Sequence, residues 1–200
     1  MIRKAVFSIA LVVGICTCTF AQDSSSVFFT TGVGLIKVSR PLSKVLKPAL
    51  SFNSGLEIAN KKNWFLQGTV DFNTLAYYQQ ITENASPYLF QNANSSLLLL
   101  GLNGGKNFDL SRHLFISGYI GGGYLNIGEP RATLKNNIVT QDIARQSSGF
   151  GRIGSRAGYK TGIGFLQTIY FDAAWLASTI TVQDAKLNGF SFFVGLRMHM

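Results

Sequence analysis

Three cations, Arg152, Arg156 and Lys160, recur at a spacing of four in GRIGSRAGYKTGIGF, residues 151–165. If the stretch is a strand, its side chains alternate with a period of two. The cations then share one face with Gly154, Gly158, Gly162 and Gly164, while Ile153, Ala157, Tyr159, Ile163 and Phe165 share the other. Glu57, Asp71 and Asp172 occupy the polar faces of other alternating stretches, and Arg197 adds a further cation. Gathered in a closed interior, these seven residues would have to pair, because a buried charge without a partner is too costly to keep. Such a set serves either as a structural network or as a relay for protons or ions, and the structural network is the expectation here.

Other chemistry is thinly supplied. His113 and His199 are the two imidazoles, and neither has a serine and a carboxylate at triad spacing. Two histidines with scattered carboxylates do not make a metal site. The glycines of GFGRIG (Gly149, Gly151, Gly154) match a dinucleotide fingerprint, but no strand–turn–helix unit surrounds them. The triple glycine Gly121–Gly123 is better explained by close packing or bending of a strand. No catalytic residue, cofactor or nucleic-acid partner is therefore expected.

The elements that position these residues are strands. Eight segments alternate with a period of two: 27–38, 49–59, 64–78, 96–107, 114–127, 153–165, 168–182 and 189–200. The pattern is clean in the second, third and eighth, where Phe190, Phe192, Val194, Leu196 and Met198 oppose Ser191, Gly195, Arg197 and His199. It is blurred in the first, fourth and fifth. An apolar exterior around a charge-paired interior inverts the soluble pattern and predicts an all-β, eight-stranded antiparallel up-and-down transmembrane barrel. A barrel of eight strands has an interior that side chains just fill. The alternative is a soluble lipocalin-like barrel that binds a small apolar ligand, with the same faces turned inside out.

Residues 1–21, MIRKAVFSIALVVGICTCTFA, read as a secretory signal peptide: Arg3 and Lys4, an apolar run, then Thr19 and Ala21 before the cleavage point. Both cysteines, Cys16 and Cys18, lie in this leader, so residues 22–200 form one cysteine-free domain. Losing Arg3 and Lys4 leaves sixteen basic residues against nine acidic, a net charge of +7. That balance suits phosphate-bearing partners without naming one. With 46% hydrophobic, 12% aromatic and only 14% charged residues, the chain is not disordered.

The connections alternate in length. ANKKN, FDLSR and LQ are short, whereas VSRPLSKVLKP, QQITENASPYLFQNANS, residues 128–151 and VQDAKLNG are long. Short periplasmic turns opposite longer extracellular loops are the habit of outer-membrane barrels. Pro41, Pro48, Pro87 and Pro130 all fall in the long set, where no ladder hydrogen bond is lost. Trp64 near one strand end, with Tyr77 and Tyr78 near the other, suits interfacial girdles.

With its leader, eight alternating segments, loop rhythm and terminal GFSFFVGLRMHM, the chain resembles the small OmpA-like and OmpX-like outer-membrane barrels of Gram-negative bacteria. The glycine-rich strands and FVGLRM ending are most similar to the PorT-like barrels of Bacteroidetes. Such families usually end on an aromatic residue read by the barrel-assembly machinery, where this chain ends on Met200. The resemblance implies a monomer in outer-membrane lipid, partnered by that machinery. Some barrels of this kind modify lipid A at the outer rim, but His113 and His199 both map to the periplasmic end. Function is then expected in the long loops. The first carries Arg40, Lys44 and Lys47 with no acid, a candidate contact for lipopolysaccharide phosphates. The third carries Arg131, Lys135 and Arg145 against Glu129 and Asp142.

Overall fold

A computed structural model of the protein describes residues 25–82, 88, 89, 92–135 and 138–200, without the side chains of 133–135. The signal-peptide reading of residues 1–21 lies outside the described residues. Eight strands follow in order: β1 (Ser26–Val38), β2 (Leu46–Ala59), β3 (Trp64–Tyr77), β4 (Ala93–Asp109), β5 (Leu114–Lys135), β6 (Ile138–Ile163), β7 (Leu166–Val182) and β8 (Ala185–His199). Each pairs antiparallel with its neighbour in sequence, and β1 closes on β8 from Phe28↔His199 to Val38↔Gly189. The fold is the closed up-and-down barrel that the alternation predicts, and closure leaves no edge strand in the barrel wall.

One end of the barrel, here the terminal end, carries Ser26, His199 and the connections 60–63, 110–113 and 164–165. Side chains shape these turns. Asn60 Oδ1 accepts from the N–H groups of Lys62 and Trp64, both at 3.0 Å, and Ser111 Oγ accepts from Leu114 N–H at 3.0 Å. The opposite end, the loop end, departs from the expected rhythm. Residues 128–151 are not a loop: β5 and β6 stay paired from Leu114↔Tyr159 to Lys135↔Ile138, whereas β4 pairs with β5 only as far as Ser96↔Gly128. The two strands leave the barrel as a ribbon whose backbone groups satisfy one another. Pro130 sits in this ribbon, beyond the last β4 pairing, where its missing N–H breaks no ladder to β4.

VQDAKLNG is likewise strand up to a two-residue turn, Gln183–Asp184, with φ of +47° and +63°. Positive φ at both central residues is what a tight hairpin needs to match strand twist. Pro48 also lies inside a strand, β2, at the register shift between Pro48 and Ser51. The connection 39–45 folds inward around a short 3₁₀ turn, Leu42–Lys44, and buries Leu42 and Val45.

The interior has two storeys. Toward the loop end it is apolar, packed with Ile36, Leu46, Leu75, Leu97, Leu99, Leu125, Ile127, Leu176 and Leu187 among others. Toward the terminal end it is polar. This division explains the blurred strands: in Leu97–Leu100, Leu97 and Leu99 fill the lumen while Leu98 and Leu100 face outward, so both faces read as apolar. Tyr77 belongs to the inner face and is fully buried, so the girdle expected of Tyr77 and Tyr78 does not include it. Outside, large apolar side chains stand exposed on every strand, among them Val33, Phe52, Phe72, Leu102, Ile120, Ile153, Phe171 and Val194.

Candidate functional site: the charged lumen

The terminal storey collects six of the seven residues that the alternation nominates. Glu57 comes from β2, Asp71 from β3, Arg152 and Arg156 from β6, Asp172 from β7 and Arg197 from β8, each turned inward by strand parity. Three cations meet three carboxylates, so the set is neutral.

Arg156 is its centre. Nη1 donates to Glu57 Oε2 at 2.8 Å, Nη2 to Gln67 Oε1 at 3.0 Å and Nε to Asp172 Oδ2 at 3.3 Å. Arg197 Nη2 approaches the other oxygen of Glu57 at 2.7 Å, and Tyr119 donates its hydroxyl to Asp172 Oδ1 at 2.7 Å. Gln67 in turn donates to Thr30 Oγ1 of β1 at 3.0 Å. A second group sits one layer nearer the apolar storey. Arg152 donates to Asp71 Oδ2 at 2.7 Å and to Thr69 Oγ1 at 2.8 Å, and Asn53 donates to the remaining Asp71 oxygen. Arginine suits both layers because its planar fork meets several acceptors at once.

Aromatic rings complete the packing. The Arg156 guanidinium lies 4.6 Å from the Tyr170 ring centre and that of Arg197 3.6 Å from Phe28. Glycine makes room for the rings: a β-carbon on Gly154 would strike Tyr119, and one on Gly195 would strike Tyr170. The network ties β2 to β6 and β8 and ties β3 to β6 through the lumen, distances that no ladder hydrogen bond covers. Chemically it is a set of cross-barrel staples, and the apolar storey above it closes the way to the loop end.

Lys160 is the seventh nominee, and the structure places it elsewhere. It stands half-exposed at the terminal rim and binds Asp109 at 2.7 Å. Parity assigned its face correctly, but its height puts it beyond the buried layers. Asp109, Tyr119 and Tyr170 were not nominated. Tyr170 shares the parity of Asp172 two residues on, a signal that was available. His113 stacks on Tyr159 with ring centres 5.7 Å apart, and His199 meets Phe28 edge-on at 5.3 Å. Among the described residues no three histidine, cysteine or acidic side chains gather as a metal site.

At the loop end Arg40 and Lys44 are exposed in the connection 39–45, whereas Lys47, expected in the same loop, is exposed at the start of β2, paired across from Ala76, with its Nζ 4.6 Å over the Tyr78 ring. Arg131 pairs with buried Glu129 at 3.0 Å, and Gln146 donates to the same carboxylate at 3.2 Å. Lys135 is in β5, with its side chain outside the described residues.

No protein-family model matches the chain, and no curated protein matches it in sequence. Among solved structures it is similar to Neisserial surface protein A, at 12% identity and a TM-score of 0.52 over 89% of this chain and 100% of that one. Ail, the attachment invasion locus protein of Yersinia pestis, solved with the heparin analogue sucrose octasulfate, matches at 10% identity and a TM-score of 0.49, over 88% of this chain and 97% of that one. The N-terminal β-barrel domain of Pseudomonas aeruginosa OprF matches at 10% identity and 0.46, over 88% and 98%. At these identities the likeness to Neisserial surface protein A is one of fold.

Proposed function

We propose that this protein is an integral outer-membrane barrel, exported by a signal peptide at residues 1–21, that acts as a structural or surface-interaction protein and not as an enzyme. The observation that carries the reading is its inverted polarity. Glu57, Asp71, Arg152 and Arg156 are buried and paired, while Leu50, Phe52, Leu56, Phe72, Leu100 and Ile120 are exposed around the wall. Apolar surface of this extent, continuous over all eight strands, is far larger than soluble proteins tolerate, and lipid is its natural cover. A lipocalin-like binder needs an apolar cavity inside. Here the apolar storey is filled by its own side chains.

With the termini on the periplasmic side, the connection 39–45 and the β5–β6 ribbon stand outside the cell. The exposed cations Arg40, Lys44 and Lys47 then face the outer leaflet, where lipopolysaccharide phosphates would accept their charge-assisted hydrogen bonds. The likeness to PorT-like barrels, dependence on the barrel-assembly machinery and a monomeric state belong to the same proposal.

Fractionation with boiled and unboiled gel samples tests the membrane reading: a mobility shift in the outer-membrane fraction is expected, and a soluble species without a shift overturns it. The lipid contact is tested separately. Replacing Arg40, Lys44 and Lys47 by Ser should lower the lipopolysaccharide that copurifies with the barrel, and unchanged retention removes that assignment.

A further inference from the structure

The polar storey does not end flush with the membrane wall at the terminal end. It opens into a vestibule of about 560 Å³, within the range of small-molecule sites. Its inner wall is formed by the rings of Phe28 and Phe115 and by Arg197, and its rim by Lys61, Lys160 and Asp109. The lining charges do not balance. Asp109 is matched by Lys160 at 2.7 Å, and Arg197 is shared with Glu57, which Arg156 already satisfies at its other oxygen. Lys61 is left over, exposed and without an ion pair among the described residues. Arg197 lines the base of the vestibule and forms an ion pair with Glu57 through Nη2 at 2.7 Å. An excess cation at the mouth, a guanidinium at the base and two aromatic rings between them are complementary to one kind of molecule.

We infer that the terminal vestibule binds a small organic anion, a carboxylate or phosphate ester with an apolar body that lies against Phe28 and Phe115 while its acid group meets Lys61, Lys160 and Arg197. The site is independent of the loop-end lipid contact. It needs only the barrel and its open terminal mouth.

The test uses the full-length mature barrel in zwitterionic micelles, with backbone amide shifts followed by NMR during titration with 4-phenylbutyrate, phenyl phosphate, neutral 4-phenylbutanamide and cationic phenylpropylammonium. Saturable shifts confined to the turns 60–63 and 164–165 are expected for the anions only, and the stronger of the two identifies the acid group the site prefers. Lys61→Ser, an exposed turn position, should weaken the anion about fivefold, the worth of one solvent-exposed charge contact. Lys160→Ser should weaken it at least as much, because it also leaves the Asp109 carboxylate unpaired beside the anion. Equal shifts with the amide, or anion binding unchanged in Lys61→Ser, would mean partition into the micelle or an apolar crevice and would overturn the inference, as would the absence of saturable shifts.

Discussion

Arg156→Met is the sharpest test of the lumenal network, because the variant keeps volume while removing a charge that three partners share. Glu57 would retain Arg197 at 2.7 Å, but Asp172 would keep only the Tyr119 hydroxyl at 2.7 Å. The lumen would then hold one uncompensated carboxylate. Removing one partner from a buried ion pair costs about 3–5 kcal/mol. With Glu57 still matched, the lower end applies, a loss of about 3 kcal/mol or roughly two orders of magnitude in the folding equilibrium. Urea unfolding from lipid vesicles, followed by the fluorescence of the outward-facing Trp64 and Trp175, reads the change. Lys160→Met is the control. Its pair with Asp109 is 40% and 46% exposed at the side chains, so its removal should cost less than about 1 kcal/mol. Adding Asp172→Asn to Arg156→Met removes the surplus charge and keeps an acceptor for Tyr119, so at least half of the loss should return. Equal losses in the two single variants, or no recovery in the double variant, would show that the paired charges are not what holds the lumen together.

Three further outcomes follow from the wall and its glycines. Gly123→Ala would drive a β-carbon into the Leu100 carbonyl oxygen across the β4–β5 ladder, so heat-modifiable barrel should be lost; Gly68→Ala, whose β-carbon meets open space, should fold normally, which the same gel assay reads. Leu100→Lys, outward-facing near the middle of β4, should destabilise the vesicle-folded barrel by about 2–4 kcal/mol, whereas Leu110→Lys in the terminal turn should change it by less than about 0.5 kcal/mol. Similar values for the two lysine variants would argue against a lipid-covered wall. Leu97→Ala, one residue from outward-facing Leu98, empties part of the apolar storey and should cost about 2–5 kcal/mol by the same unfolding assay.

How much of this was legible in the residues follows from what alternation encodes. A period of two assigns a face, and wherever one face is polar and the other apolar the assignment is unambiguous; β3 and β8 follow it from Trp64 to Asn73 and from Phe190 to Met198. The same rule loses its signal where the lumen itself turns apolar. The leucines of β4 and the Leu125 and Ile127 of β5 belong to an interior storey as greasy as the outer wall, so their faces separate only once the barrel is closed. It loses its signal again beyond the barrel wall. The β5–β6 pairing runs on past the last β4 partner, and Gln141, Arg145, Gln146 and Ser147 read as loop although each is paired across from β5. Parity also says nothing about height along the barrel axis. Arg156 and Lys160 share a face and differ by four residues, about 13 Å along an extended strand, which separates a guanidinium sealed among Glu57, Gln67 and Asp172 from an ammonium at the rim beside Asp109. Register sets that height, through Arg156↔Asp172 on one side and Ser117↔Arg156 on the other, and register is a property of the closed sheet rather than of any one strand. The pairing of charges within the lumen therefore had to wait for the barrel, even though the list of charges that face it did not.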